Sequence, residues 1–486
     1  MRNNTYIVAI ELSSSKVSGV VGVETNEGMS IIAAKSTPVN GFISRGIVRN
    51  VDKTSEAISC VINMLESDLD NIEIKRAYVS FAGLSVHSIT SKVSRSFDGY
   101  TKISQGIIDE MSDENIDTFC APKGYERLQV LPQECRLDGK IDNNPIGAPT
   151  QLIECNYLNI LMKEQFHKQF IDSFKQAKID IVEEYCAARI DADILLSSDQ
   201  CRNGCALVNI GAETTTITIY NGSKPRKLTV LPLGSNNITL DITRQQISYE
   251  KAEEIKVILG YKSSRTDNDA IDNETLNSII NGRMSEILQN VRYQIELSGE
   301  PISHIVFTGG GSKLKNLRLL LEEYLPGYTT EIKPEPRFNI ISERGVNING
   351  IMTTALCGLL KLGRENCCQE ENIELPQSGN LFTNTEMKGE HPTTPVATEE
   401  TKEPEIKTPT VVDDKKNEQS QNENTTPGKG TKIIKKVIKK NKLTTIWDAA
   451  MLWFDNATSD EGSQNVDEDE FEATAENKDT ENKNIQ

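Results

Sequence analysis

The chain has 486 residues, enough for two or more units with hydrophobic cores of their own. Only 37% of the residues are hydrophobic, so part of the chain is expected to remain unfolded. The net charge of −18 argues against a general nucleic-acid-binding protein. Half of that charge lies between Asp455 and Gln486, where 11 acidic residues stand against 2 basic ones. The acidity therefore says little about the folded part.

The ten cysteines form no C-x-x-C pair, and with four histidines in the chain a zinc site is not expected. Reduced thiols in a cytosolic protein are the expectation. We also expect no secretory signal, because the N-terminal residues lack a basic segment followed by an apolar one. No apolar run approaches the roughly 20 residues that cross a bilayer.

One pattern occurs twice in the chain, first over residues 7–21 and again over residues 206–220. Each copy is a β-rich run, a tight turn of small and hydroxyl residues, and a second β-rich run. Small side chains let backbone N–H groups approach an anion, and Ser or Thr hydroxyls add donors. Two such turns facing each other would hold a polyphosphate from both sides. The candidate contacts are Glu11, Ser13, Ser14, Ser15, Lys16, Asn209, Gly211, Ala212, Thr214 and Thr215.

Between the two copies, residues 84–165 are interpreted as an insertion with strand-like runs and turns. Helices are predicted over residues 248–259 and 282–297. A buried strand over residues 302–307 then leads into Gly309, Gly310 and Gly311, followed by a helix over residues 314–324. A strand that ends in glycines and opens a helix places backbone against a ligand, although most such loops are structural turns.

The composition changes after Asn366, and residues 364–430 are predicted to be a disordered linker. Residues 431–455 contain six lysines, with a seventh at Lys429, and they combine this charge with apolar residues at helical spacing, which suits an anionic membrane surface. The alternative is a helix that docks on a protein partner or on the protein's own body. The acidic tail, residues 456–486, is interpreted as solvated. The predicted membrane contacts are Leu443, Ile446, Trp447, Met451, Phe454, Lys435, Lys436, Lys439 and Lys440.

The order of these elements resembles the actin-type nucleotide fold, and the motifs are similar to those of the bacterial cell-division family FtsA. Residues 8–17 (Val-Ala-Ile-Glu-Leu-Ser-Ser-Ser-Lys-Val) resemble its first phosphate motif, and residues 207–215 (Leu-Val-Asn-Ile-Gly-Ala-Glu-Thr-Thr) resemble the second. Residues 307–311 (Phe-Thr-Gly-Gly-Gly) resemble its adenosine motif. Further matches are Leu131-Pro-Gln133 and Asn144-Pro-Ile-Gly147, which fall in the family's inserted subdomain. The resemblance covers roughly residues 5 to 362.

This resemblance implies an α/β, actin-like two-domain fold with an inserted FtsA-type subdomain, a disordered linker and a C-terminal amphipathic helix. The implied domains are residues 5–83, residues 84–165 for the insertion, and residues 166–363 for the second domain with the chain's return to the first. The implied cofactor is ATP with Mg²⁺, with Glu253 and Lys256 facing the ribose. The implied partners are FtsZ, further copies of the chain in a filament, other division proteins and the cytoplasmic face of the membrane at the division site.

The departures from the family pattern lie at the phosphate motifs. Glu11 and Asn209 stand where the family has aspartates, and an amide cannot take a proton or carry charge. We therefore predict ATP binding with weak or absent hydrolysis. Ser13 replaces a turn glycine, and Glu213 would repel phosphate unless it points away. Two alternatives remain: an active ATP-dependent enzyme of the same superfamily, and an actin-like adaptor for another envelope assembly such as a pilus.

Overall fold

The computed structural model describes residues 5–370, apart from residues 26–27, 70, 263–269, 335–339 and 343–344. The rest of the predicted linker, the basic segment at residues 431–455 and the acidic tail lie outside the described residues. Among the described residues, no helix combines the length and the apolar character needed to cross a bilayer.

The first hairpin pattern forms two strands at the centre of the first sheet. The first of these strands is almost continuously apolar because helices cover both faces of the sheet. Asn50 caps the first helix by accepting a hydrogen bond from Lys53 N at 2.9 Å. The elements are β1 (Tyr6–Leu12), β2 (Lys16–Thr25), β3 (Gly28–Pro38), β4 (Ile43–Ser44), β5 (Ile47–Val48), α1 (Val51–Glu66), β6 (Ile72–Ile74) and β7 (Arg76–Phe81).

The inserted region builds a separate antiparallel sheet with its own small core around Met111, Ile153 and Tyr157. Its elements are β8 (His87–Lys102), α2 (Gln105–Thr118), β9 (Tyr125–Leu137), β10 (Lys140–Asp142) and β11 (Pro149–Lys163). Cys135 and Cys155 lie directly opposite each other on β9 and β11 and form a disulfide. This bond departs from the expectation of reduced thiols, because the strand register brings together two cysteines that lie 20 residues apart in sequence.

The chain then returns to the first sheet and continues into the second. The connecting elements are α3 (Glu164–Gln176), β12 (Asp180–Cys186), α4 (Ala187–Leu195) and α5 (Ser198–Asn203). The second sheet and its helices are β13 (Cys205–Ile210), β14 (Thr215–Asn221), β15 (Lys224–Leu231), α6 (Asn236–Thr243), α7 (Tyr249–Leu259), α8 (Asn273–Ser298), β16 (His304–Thr308), α9 (Leu317–Tyr324) and β17 (Thr329–Ile332). The last elements, β18 (Ile340–Ser342), α10 (Thr354–Leu362) and β19 (Cys368–Glu370), lie again with the first domain.

The two large sheets repeat one strand order. In the described residues the first sheet runs β12-β7-β1-β2-β3-β18, and the second runs β17-β16-β13-β14-β15. In both, an antiparallel three-strand meander is extended by parallel strands next to its first member. The halves differ in one crossover, because the inserted sheet and α3 separate β7 from β12 whereas a short turn and α9 separate β16 from β17.

The predicted hairpin strands, the strand over residues 302–307 and the three helices are confirmed, with two shifted helix starts. Helix α8 begins nine residues before Gly282, because Asp272 caps it by accepting from Thr275 N at 2.9 Å. Helix α9 begins at Leu317 rather than Leu314, since Gly310–Lys313 forms a 3₁₀ turn and Asn316 takes a left-handed conformation.

The predicted start of the linker at residue 364 is too early. β19 pairs antiparallel with β6, and Cys367 O accepts hydrogen bonds from Lys75 N at 3.1 Å and Arg76 N at 3.2 Å. Cys367 is buried in the first core. Composition alone placed the boundary too early because most of these residues are polar, yet the segment pairs with β6 in a two-stranded sheet and buries Cys367 and Cys368.

Candidate functional site

A cavity of about 490 Å³ opens between the two large sheets, within the range of small-ligand sites. Both hairpin turns contribute to it, together with the glycine loop after β16 and helices α4, α7 and α10. Fourteen of the fifteen residues predicted to contact a nucleotide line it: Glu11, Ser13, Ser14, Ser15, Lys16, Asn209, Gly211, Ala212, Thr214, Glu253, Lys256, Gly309, Gly310 and Gly311. Segments up to three hundred residues apart in sequence therefore meet in one place.

The first turn is held by its own serines. Ser13 Oγ donates to Lys16 O at 2.7 Å and accepts from Lys16 N at 3.2 Å, which closes the turn. Ser14 Oγ accepts from Gly46 N at 2.8 Å and so ties the turn to the β4–β5 hairpin. Ser13 is not among the described residues with a positive φ, so the exchange of glycine for serine imposes no backbone strain here.

The second turn packs against the beginning of α6. Gly211 N donates to Thr214 O at 2.8 Å, and Ser235 N donates to Gly211 O at 2.9 Å. Thr215 is the exception among the predicted contacts: it is fully buried, and its hydroxyl donates to Leu233 O at 2.8 Å. Thr216, its neighbour in the strand, lines the cavity instead. Alternation along β14 explains the difference, since successive side chains point to opposite faces.

Glu213, at the tip of the second turn, is turned toward the first domain. Its Oε2 accepts from Arg45 N at 2.6 Å and from Ser44 Oγ at 3.0 Å. The carboxylate is thus engaged with the β4–β5 hairpin rather than with the cavity lining. The Glu213 side chain therefore points away from the cavity, which is the orientation in which the sequence predicts no repulsion of a phosphate.

Glu11 stands at the end of β1 and faces the cavity. Its Oε2 accepts from the Thr353 hydroxyl at 2.5 Å. The same hydroxyl caps α10 by accepting from Leu356 N at 3.2 Å. Burial raises the pKa of Glu11, while the Thr353 hydrogen bond and the Lys16 charge act in the opposite direction. Lys16 in turn donates to Gly350 O, and burial lowers the pKa of its ammonium group.

Asn209 occupies the equivalent position at the end of β13. Its Nδ2 donates to Asp191 Oδ2 at 2.6 Å. Asp191 lies on α4, is 3% exposed and also lines the cavity. Burial raises the pKa of Asp191 to about 7, the Asn209 hydrogen bond opposes that rise, and the charge of Glu11 adds to it. The second turn therefore has a buried carboxylate behind its amide.

The glycine loop after β16 fits closely against the second turn. Gly309 has a φ of +84°, and a Cβ at this residue would lie 2.2 Å from Asn209 Oδ1. A Cβ on Gly311 would lie 2.4 Å from Ile210 Cγ2. Nothing lies within 4 Å of the corresponding point on Gly310. The first and third glycines are needed for packing, and the middle one leaves room for a ligand.

Glu253 and Lys256 form one network on α7. Lys256 Nζ lies 2.7 Å from Glu253 Oε2 and donates to Thr239 Oγ1 at 2.9 Å. The Thr239 hydroxyl donates to Glu253 Oε2 at 2.5 Å. Burial lowers the pKa of Lys256. The network fixes one cation and one carboxylate side by side at the cavity wall.

Among the cavity-lining residues that sequence reasoning missed are Asp191, Thr353 and Lys313. Asp191 left a signal, since it is a charged residue on the buried face of α4 among Ala188, Ile190 and Ala192. Thr353 left a weaker one, a helix-capping residue before the apolar run of α10. Lys313 lies two residues after the last glycine of the loop, and a cation so close to a ligand-facing turn is a further signal.

Comparison with known proteins gives a consistent result. Residues 206–347 match the family model described as "Cell division protein FtsA". The chain is 28% identical over 360 residues to the cell division protein FtsA of Porphyromonas gingivalis, covering 67% of this chain and 72% of that protein. It is 24% identical over 374 residues to the FtsA of Borreliella burgdorferi, covering 71% of this chain and 88% of that protein.

Among solved structures, a chain of the PilM–PilN type IV pilus biogenesis complex superposes with a TM-score of 0.55 at 17% sequence identity. The match covers 73% of this chain and 97% of that chain. At this identity the likeness concerns the fold alone. With the repeated strand order and the inserted sheet, it confirms the predicted α/β, actin-like fold class.

Proposed function

Since this chain is related to the FtsA cell division proteins, as the sequence resemblance predicted, we propose that it is an actin-like, ATP-binding adaptor of the division machinery. The adaptor binds ATP with Mg²⁺ between its two domains, polymerises, and tethers FtsZ to the cytoplasmic face of the membrane at the division site. Its domains are those given above for residues 5–83, 84–165 and 166–363.

The observation that supports nucleotide binding best is the convergence of three motifs on one cavity. The two hairpin turns and the glycine loop lie in separate parts of the sequence, and all three line the same space of about 490 Å³. A single turn of this kind is weak evidence, because most such turns are structural. Three such motifs that meet in front of two sheets with the same strand order form an arrangement suited to a polyphosphate and a nucleoside.

The side chains that line the cavity fit a nucleoside triphosphate with a divalent cation. Two lysines, Lys16 and Lys313, offer positive charge to phosphate oxygens, and Ser14 and Thr214 offer hydroxyls. Glu253 and Lys256 face the ribose, as the resemblance implies. Glu11 and Asp191 offer carboxylate oxygen, the ligand type that Mg²⁺ takes from proteins alongside phosphates. Bound Mg²⁺ supplies positive charge that offsets the charge of the phosphates.

The proposal includes weak or absent hydrolysis. Hydrolysis needs a group that orients the attacking water and accommodates its proton. At the end of β13 this chain has an amide, and its N–H₂ group is engaged with Asp191 at 2.6 Å. Robust release of phosphate by the purified chain would instead favour the alternative, an active ATP-dependent enzyme.

ATP binding is tested by titrating the full chain with ATP in a calorimeter. We expect saturable binding that Lys256→Met weakens by about tenfold, since it removes a buried cation at the cavity wall. Lys251→Met is the matched control: Lys251 lies on the same helix, but its ion pair with Glu254 is half-exposed. No binding by the natural chain, or equal losses in both variants, would contradict the proposal.

The membrane and FtsZ components rest on the resemblance and on the C-terminal sequence, which lies outside the described residues. By the resemblance, the FtsZ tail docks on the smaller subdomain of the second domain, roughly residues 225–300. Co-sedimentation with FtsZ polymers and with vesicles containing anionic lipid tests both. Trp447→Glu should abolish binding to vesicles and leave FtsZ binding intact, because it puts a charge on the apolar face. Binding to a pilus protein in place of FtsZ would favour the other adaptor alternative.

A further inference from the structure

Asp191 is a buried carboxylate at the cavity wall with an unusual set of neighbours. Within the part of the chain that the structure describes, it accepts from Asn209 Nδ2 at 2.6 Å and lies in the field of Glu11. Neither neighbour is a cation. A buried carboxylate is costly unless positive charge or several hydrogen bonds compensate it. Both Asp191 and Glu11 face the cavity, so a cation within the cavity would compensate the two together.

The orientation of Asn209 leaves Asp191, rather than Asn209, to interact with a cation in the cavity. Its amide nitrogen points to Asp191, and its Oδ1 lies over Gly309, where a Cβ would be 2.2 Å away. The asparagine therefore uses its donor on the carboxylate and has its acceptor confined by the glycine loop. Its contact with Asp191 fixes the carboxylate rather than replacing it.

The fold holds Asp191 in place from behind. Its neighbour Ile190 packs against Gly358 of α10 so tightly that a Cβ on Gly358 would lie 1.9 Å from Ile190 Cγ2. Thr353, the N-cap residue of the same helix α10, donates its hydroxyl to Glu11 at 2.5 Å. One pair of packed helices thus positions both carboxylates.

We propose that Asp191 supplies the carboxylate charge that Asn209 lacks, so that Asp191 and Glu11 together hold the hydrated divalent cation of the bound nucleotide. This inference rests on the proposed ATP binding. Mg²⁺ is commonly held by one or two carboxylates together with phosphate oxygens and waters, so a larger set of protein ligands is not required. Asp191 holds the cation, and Asn209 is a positioning residue that acts through it.

The hydrogen bond between Asn209 and Asp191 predicts how substitutions at the two positions will behave. Asn209→Asp alone would set two carboxylates 2.6 Å apart, where both cannot remain ionised. It would therefore add no useful charge. Exchanging the two side chains, in the double variant Asp191→Asn with Asn209→Asp, keeps one carboxylate, one amide and the hydrogen bond between them.

The test compares the full chain with Asp191→Asn, Asn209→Asp and the exchange variant. ATP affinity is measured by calorimetry in excess Mg²⁺ and again in EDTA, and thermal unfolding without nucleotide reports whether each protein is folded. The measured quantity is the gain in affinity that Mg²⁺ gives. We expect Asp191→Asn to reduce that gain by about tenfold, the size of a typical coupling between sites, and the exchange variant to restore it.

The outcomes separate this inference from the proposal beneath it. A natural chain that binds no ATP overturns the proposed function and the inference together. ATP binding with a Mg²⁺ gain that Asp191→Asn leaves intact overturns the inference alone. So does a folded exchange variant with no restored gain, or an Asn209→Asp variant with a larger gain than the natural chain. A purely structural role for Asp191 would change the unfolding temperature and leave the Mg²⁺ gain unchanged.

Discussion

The two halves of the molecule share a strand order and differ in the chemistry at the ends of their central strands. β1 ends at a carboxylate, Glu11, that the Thr353 hydroxyl bonds, whereas β13 ends near an amide, Asn209, that bonds the carboxylate of Asp191. In both halves the supporting group comes from outside the hairpin. The strand order thus fixes where a side chain is presented, and the helix behind it decides which charge the site carries.

The largest expected effect tests how tightly the glycine loop packs against the end of β13 in the second half. Gly309 follows β16 with a φ of +84°, and a Cβ there would lie 2.6 Å from Ile210 O. We expect Gly309→Ala to lower the free energy of unfolding by about 3 kcal/mol, through strain and overpacking, in urea denaturation. Gly310→Ala is the control and should change it by about 1 kcal/mol or less, since it meets open space. Equal effects would show that the loop has room to adjust.

A second substitution tests the helix pair behind the two carboxylates. Gly358→Ala should cost about 2 kcal/mol, because its methyl group would collide with Ile190 Cγ2. Ile190→Ala removes the colliding group, so the double variant should lose less stability than the sum of the two single losses. Strict additivity of the unfolding free energies would mean that α4 and α10 do not constrain each other.

A third prediction concerns the insertion, which only one half carries. His167 of α3 bridges Glu126 of β9 at 2.7 Å and Glu184 of β12 at 3.0 Å. The hydrogen bond to Glu184 raises the pKa of His167, with burial acting against it. A raised pKa means that the protonated ring is favoured in the folded state, so this stabilisation is fully present below about pH 6.5 and is lost as pH rises through the raised pKa.

The measurement is the free energy of unfolding as a function of pH. At about pH 6 the natural chain should have a higher free energy of unfolding than His167→Gln. This difference should shrink by about 1–2 kcal/mol by about pH 9, as the charge-assisted hydrogen bonds disappear. His304→Gln, whose ring lies by Ser303 on the second sheet, is the control and should keep the natural profile. An advantage that grows with pH would reverse the assigned sign.

The smallest expected effect concerns the contact between the halves. The sequence suggests that removing the Glu213 charge would strengthen phosphate binding. The structure indicates the opposite, because this carboxylate accepts from Arg45 N at 2.6 Å and links the second turn to the first domain. We expect Glu213→Gln to weaken ATP binding by about threefold to fivefold, because a neutral amide oxygen accepts the bonds from Arg45 N and Ser44 Oγ more weakly than a carboxylate does. Glu254→Gln on the outer face of α7 serves as control, and tighter binding by Glu213→Gln would restore the repulsion argument.

The hairpins, the glycine loop and the fold class were predictable because each rests on local patterns. Alternation and turn composition identify the strands around residues 7–21 and 206–220, and their order indicates the fold. The start of α8 was missed because Gly282 is a poor helix residue. In the structure a Cβ on Gly282 would meet nothing within 4 Å, and the buried side chains on the other face of α8 stabilise the helix on both sides of it.

The supporting groups of the site were harder to find because they join residues that are distant in sequence. Thr353 bonds Glu11 across 342 positions, and no local pattern encodes that contact. Asp191 lies only 18 positions from Asn209, and its place among apolar residues of α4 is unusual, but its contact with Asn209 follows only once α4 is placed against β13. The direction of Glu213 likewise depends on a hairpin 168 positions away.

The hydrogen bond between Asn209 and Asp191 also has an evolutionary consequence. Two side chains at 2.6 Å form a single unit in which one ionised carboxylate is tolerated and two are not. The residues at these two positions should therefore covary among related proteins. Relatives with an aspartate at the end of β13 should carry a small or uncharged residue where this chain has Asp191. A lineage would pass between the two states through the uncharged intermediate more easily than through the doubly charged one.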